Sequence, residues 1–186
     1  NVDLIGELLA GAPVSTNLLD IKYVYRGLIE EVVVVNALGA GIKTITSTRN
    51  CKWRNVYAYN CCQNVATITG AIEMKGSDHN VAGYVIGQAT VTNAEVSAVS
   101  TQIQYRVGLL LNMSTSTNGG SLRGEVSGFC GIYIQNSFNT EFGNLLADQN
   151  AGHGVYFATN CNGVSADVRG SDNNRLNGAY DTLVMA

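Results

Sequence analysis

The chain has 186 residues, enough for one domain with a real core, and 46% of them are apolar against 13% charged, about half the usual ~25% charged share. A net charge of −3 with few, scattered Lys and Arg gives no electrostatic footprint for nucleic acid or anionic lipid. With 21 Gly and 20 Asn against one Pro, the composition suits tight turns between short strands, because both residues tolerate positive φ.

In chain order, "DLIGELLAG" predicts a short helix that caps the open end of the fold, within an N-terminal cap or irregular first coil over residues 1–27. "GLIEEVVVVNALGAGIKTITS" and "CKWRNVYAYNCCQNVATITG" read as two strand-bearing turns of chain with altered loops. "MKGSDHN" reads as a loop carrying Lys75, Asp78 and His79, candidates for a base or a cation, though a solvated turn is the simpler account. Trp53 is either a sugar-stacking ring or a partly buried anchor. The polar run "NMSTSTNGGS" over 112–121 reads as a flexible turn.

From Gly83 onward a phrase recurs. "GYVIGQA" is followed by "GLLLNMS", "GIYIQNS", "GVYFATN" and "GAYDTLV", which begin at Gly83, Gly108, Gly131, Gly154 and Gly178. A period in the twenties marks a solenoid, in which each repeat covers its neighbour's apolar face. The leucine-rich signature is missing, and the alternation within repeats has the period of strands. The expectation is an all-β fold, a right-handed single-stranded parallel β-helix over 28–186, making about eight coils with the N-terminal segment. At ~4.8 Å per coil the rod is roughly 38 Å long.

In that register Leu109, Ile132, Val155 and Ala179 share one inward column, and Leu111, Ile134 and Phe157 the next, where Asp181 would end regular stacking. A second strand aligns Leu122, Phe142 and Val164, then Gly124, Asn144 and Ala166, then Val126, Leu146 and Val168. Asn139 superposes on Asn162 and Phe138 on Cys161.

The outward columns carry the candidate chemistry. Tyr133, Tyr156 and Tyr180 recur one per coil and would form an aromatic platform for sugars, or a packing surface for a sister subunit. Glu125 and Asp167 face outward two coils apart, with Leu145 between them. Their carboxyls would then match the ~6.5–9.5 Å separation used by inverting glycosidases; a surface ion pair of Asp167 with Arg169 is the competing account. No metal site is expected, since the five cysteines lack CxxC spacing and neither histidine sits near a paired set. No cofactor is expected either, and "GEVSG" has its serine in the wrong place for a nucleophile elbow. The odd number of cysteines reads as buried apolar filler in a chain that folds in a reducing cytosol. No stretch approaches the ~18 apolar residues of a membrane span, so no membrane insertion is expected.

The repeated G-[IV]-Y-[IF] phrase with its following Asn and Gly resembles the pectate-lyase-like superfamily of parallel β-helices, most of all bacteriophage tailspike shafts. The resemblance covers about Gly83 to Ala186 well and the first 80 residues loosely. It implies a virion-tail or extracellular protein that recognises a host surface polysaccharide, usually as a homotrimer with rods side by side. It also implies two alternatives on the same fold, a depolymerase of the lyase or hydrolase type and a structural shaft without glycan contact.

Overall fold

The computed structural model describes residues 2–5, 17–45, 48–90, 103–173 and 183–185. It is a parallel β-helix, and every strand pair in it is parallel. A short sheet stacks β2 (Leu19–Ile21), β4 (Ile42–Thr44), β6 (Thr69–Ser77), β9 (Arg106–Ser114), β11 (Cys130–Ile134), β13 (His153–Phe157) and β15 (Leu183–Met185). A long sheet stacks β1 (Val2–Ile5), β3 (Leu28–Val35), β5 (Lys52–Tyr59), then β7 (Asn80–Val81) with β8 (Tyr84–Gln88), then β10 (Thr117–Glu125), β12 (Phe138–Asp148) and β14 (Asn162–Ser171). Six coils contribute a strand to both sheets, and β1 and β15 add a level at either end.

One residue per coil makes the bend between the sheets. Arg26, Asn50, Asp78, Thr115, Asn139 and Gly163 all hold φ between 47° and 64°. Backbone bonds tie this corner to the next coil, Asn50 N–H to Ser77 C=O, Asp78 to Ser114 and Thr115 to Phe138. A second left-handed column, Asn36, Asn60, Val126, Gln149 and Asp172, ends the long strands. Midway along them Glu31 and Asn55 sit at φ 52°, and in later coils the register shifts between Asn118 and Ser121 and between Phe142 and Asn144. Each coil is therefore three-sided. A left-handed conformation costs a non-glycine residue ~1–2 kcal/mol, and Asn tolerates it best among them, which accounts for part of the asparagine content. The amides recover some of that cost by stacking: Asn60 donates to Asn36 at 2.7 Å and Asn160 to Asn136 at 3.1 Å.

The interior is filled by aligned apolar columns. Ile42, Ile72, Leu109, Ile132 and Val155 stack from the short sheet, all fully buried. Val56, Val85, Leu122 and Leu145 face them from the long sheet. Cys51, Cys61, Cys62 and Cys130 are buried and unpaired, acting as small fillers; burial pushes the Cys61 thiol up to about 11 and the Cys130 thiol well above its ordinary value. At the corner beyond the long strands the interior is polar. Asn150 Oδ1 accepts from Ser127 N–H, Asn150 donates to Asn173 Oδ1 at 2.7 Å, and Asn173 donates to Ala147 C=O. Both asparagines are buried, and their amides are satisfied along the axis.

The register corrects several expectations. The level above Val155 is held by Leu183, not Ala179, and Met185 rather than Asp181 lies above Phe157; residues 174–182 lie outside the described residues. Leu122 aligns with Leu145 and Val168, and Gly124 with Ala147 and Gly170. Phe142 belongs to the first half of its bent strand, beside Asn118 and Ala166. Phe138 pairs with Asn162, so Asn139 does not stack on it. Asp3, Leu4 and Ile5 are strand, not helix, and the rest of the expected capping helix lies outside the described residues. β2 continues the short sheet before residue 28, which is compatible with an irregular first coil there. The run 112–121 is no free loop: it holds the end of β9, the corner at Thr115 and most of β10, with Met113 and Ser116 buried.

Gly108 and Gly131, which open two of the repeated phrases, meet the opposite wall, whereas Gly83 precedes a strand of the long sheet and is out of register with them. Gly124 on the long sheet lies against Gly131 on the short sheet, and a Cβ at Gly124 would overlap the Gly131 carbonyl. A Cβ at Gly108 would come 2.6 Å from both the Gly131 and Gly87 carbonyl oxygens. A Gly124→Ala variant is therefore expected to lose about 1–3 kcal/mol through overpacking, read as a lower urea midpoint. An unchanged midpoint would show that the two walls are not in contact.

Candidate functional site

Because strands are in register, the outward side of the short sheet carries one column running Asp20, Lys43, Glu73, Leu110, Tyr133, Tyr156 and Val184. Along the rod it changes from charged to apolar to aromatic. The Tyr133 and Tyr156 rings stack with centroids 5.5 Å apart and planes 2° from parallel. Phe129 leans on both, at 5.9 and 5.4 Å, and His153 adds a fourth ring 5.7 Å from Tyr156. Buried Val107, Leu110 and Cys130 lie against this cluster and hold it in place. Partial burial, with Tyr156 alongside, raises the ionisation range of the Tyr133 phenol, so the hydroxyl remains protonated and able to donate. Neither phenol hydrogen-bonds to another described residue. Tyr180 lies outside the described residues, and the position above Tyr156 is taken by Val184; in the described structure the ladder has two rungs.

The two carboxylates chosen from sequence fall on different columns. Glu125 aligns with Asp148 and Ser171, whereas Asp167 aligns with Asn144. Asp167 thus stands four residues along the strand and two coils away from Glu125, about 16 Å between backbones. The slip comes from aligning Leu122 with Phe142: the true partner, Leu145, points inward and is fully buried. Asp167 is exposed and paired with Arg169 at 2.8 Å. The carboxylates that the fold does bring together are Glu125 and Asp148, both held by Arg123, at 3.0 and 3.3 Å. Upstream, buried Glu73 is clamped by Lys75 at 2.8 Å and Lys43 at 3.2 Å, and accepts from Gly70 N–H.

Comparison of the chain with protein-family models, curated proteins and solved structures gives no match. Function must therefore be argued from this surface alone. Among the described residues no three His, Cys, Asp or Glu side chains gather as metal ligands would.

The "MKGSDHN" segment is a corner of the rod and not a projecting loop. Ser77 ends β6, Asp78 makes the left-handed bend, and His79 turns into the interior, fully buried. Trp53 is also fully buried, and its indole N–H donates to His79 Nδ1 at 3.3 Å. Tryptophan can only donate and the Lys75 carbonyl, 3.2 Å from Nε2, can only accept. These two partners fix His79 as the neutral Nε2–H tautomer. Neither residue is available to a ligand. What sequence reasoning missed lies on the same corner: a hollow of about 210 Å³ lined by Arg49, Gly76, Ser77, Asn112 and Ser114. Its residues come from three coils, and no local motif joins them.

Burial lowers the His79 ionisation range below its usual 6.5, against the smaller opposing effects of the Lys75 carbonyl and Asp78. The unfolded chain therefore takes up this proton first as pH falls. Stability is full above about 6.5 and declines below it until the lowered folded value is reached, at no more than about 1.4 kcal/mol per pH unit. Urea titrations at pH 7.5 and 5.5 should show this loss in the wild type and its absence in His79→Gln. An equal loss in both would assign the effect elsewhere.

Proposed function

We propose that this protein is a receptor-binding β-helix of the tailspike kind, which holds a long cell-surface polysaccharide along the outward face of its short sheet. The observation that carries the reading is the Tyr133–Tyr156 pair, whose stacked rings rest on a buried apolar base with both hydroxyls free of partners among the described residues. Aromatic rings with a polar handle suit sugars, which present apolar C–H faces and hydroxyls together. The coil spacing supports the same reading, since a rod that repeats every ~4.8 Å offers side chains in a line to a ligand that is itself a linear repeat. Contacts that are individually weak then add along one chain.

The test is binding of extracted bacterial surface polysaccharides to the wild type and to Tyr133→Ala/Tyr156→Ala, with reducing ends followed in the same samples. Affinity is expected to fall about tenfold or more, with melting lowered only modestly because both rings are half-buried over Val107, Leu110 and Cys130. Full affinity in the double variant would remove the platform. Steady release of reducing ends that is abolished in Glu125→Gln would turn the reading from a binder to a depolymerase.

A further inference from the structure

The corner hollow lies on a second line of residues, parallel to the axis and distinct from the tyrosine column. Tyr25, Arg49, Ser77, Ser114 and Phe138 pair in succession from one coil to the next. Tyr25 is 64% and Phe138 44% exposed, and four coil steps separate them by about 19 Å. Between these aromatic ends the hollow opens over Arg49, Gly76, Ser77, Asn112 and Ser114. Gly76, at φ 138°, has a backbone so close to the Thr48 carbonyl that no side chain fits there, which keeps the floor clear.

Most of the described Lys and Arg side chains sit against a carboxylate, Arg26 and Lys52 being exceptions beside Arg49 at this place. Lys22, Lys43, Arg54, Lys75, Arg123 and Arg169 each have a carboxylate partner. Arg49 has none among the described residues and is exposed. Arg26, at the next corner position, stacks over Tyr25 at 5.0 Å and adds a second positive charge. Asp78, next to Ser77 in the chain, is exposed and accepts from the Thr115 hydroxyl at 2.9 Å. The Ser77 and Ser114 hydroxyls and the Asn112 amide make no hydrogen bond to described residues, so a guanidinium and three further donors border one small concavity.

We propose that this hollow is an anion-binding subsite, in which Arg49 pairs with a carboxylate, sulfate or phosphate group while Ser77, Asn112 and Ser114 complete its hydrogen bonds. A guanidinium suits such groups because its N–H donors match two oxygens at once. The assignment of the anion to a sugar substituent rests on the polysaccharide reading above; the subsite itself does not.

The experiment is an NMR titration of the Arg49 side chain and the Ser77 and Ser114 amides with three probes: a glucuronate oligomer, a glucose oligomer of equal length, and inorganic phosphate. The glucuronate oligomer is expected to shift these signals saturably, to bind about tenfold more weakly to Arg49→Gln, and to weaken with added salt. The glucose oligomer should leave the Arg49 signals unmoved. Arg49→Lys should recover part of the loss, and melting should be unchanged in both variants. Shifts with phosphate but with neither oligomer would uphold the anion subsite and count against the polysaccharide reading. No shift with either anion, or equal affinity of Arg49→Gln and wild type for the glucuronate oligomer, would overturn the proposal.

Discussion

Everything in this molecule depends on one residue per coil turning the backbone at the same corner. Arg26, Asn50, Asp78, Thr115, Asn139 and Gly163 are of five chemical kinds, yet they share a φ within 47–64° and pass a backbone hydrogen bond from level to level. Steps between those positions range from 24 to 37 residues, so the constraint is angular and not one of chain length. A coil can lengthen by more than ten residues elsewhere, provided that it returns to the corner. That is why the two wide steps, before Asp78 and before Thr115, leave the sheets in register on both sides.

The interior answers to the same constraint in two chemistries. Where the two sheets face each other at a distance, Ile, Leu and Val columns fill the space and remove apolar surface from water. Where the long sheet closes on the short one, only Gly and Ala fit, as at Gly87, Gly124 and Ala147 against Gly108 and Gly131. Where the chain leaves the long strands, buried backbone groups need partners that no sheet supplies. The Ser127–Asn150–Asn173 ladder supplies them along the axis. An apolar substitution in that ladder would strand several donors and acceptors at once, so polar residues here belong to the core as much as leucines do.

Between Arg106 and Phe157 the short sheet was legible in the sequence because its strands are unbent and follow one another at a constant interval. Leu109, Ile132 and Val155 align as their spacing of 23 demands. The long sheet was not, because each strand bends midway and shifts register by local irregularities such as those near Ser121 and Asn144. Alternation cannot be carried across such a bend, and matching Phe142 to Leu122 by bulk moved Glu125 onto the wrong column. The buried His79 was misplaced for a related reason, whereas the anchor reading of Trp53 agrees with its burial. A charged, glycine-bearing heptapeptide looks like a loop, and only the left-handed bend at Asp78 sends the next side chain inward. The Tyr133–Tyr156 pair was visible as a repeat, whereas the Arg49 hollow, built from residues 49 to 114, has no linear signature at all.

Function on such a rod is a property of columns, since two side chains far apart in sequence become neighbours whenever they share a level and a position. Corners, glycine wall and inner columns carry most of the fold's requirements, with buried Glu73 and Leu110 adding to them from the outward side. Two outward lines nevertheless depart from a uniformly solvated surface. One gathers Phe129, Tyr133, His153 and Tyr156 into touching rings; the other sets the Arg49 guanidinium between exposed Tyr25 and Phe138. Leu110 stands between Tyr133 and Glu73 in this column, so the Tyr133 ring lies two levels from a buried carboxylate clamped by Lys43 and Lys75. On the first line the Tyr133 and Tyr156 rings stack at about one strand spacing over buried Val107, Leu110 and Cys130, and preorganised groups of this kind need less ordering on binding than mobile ones.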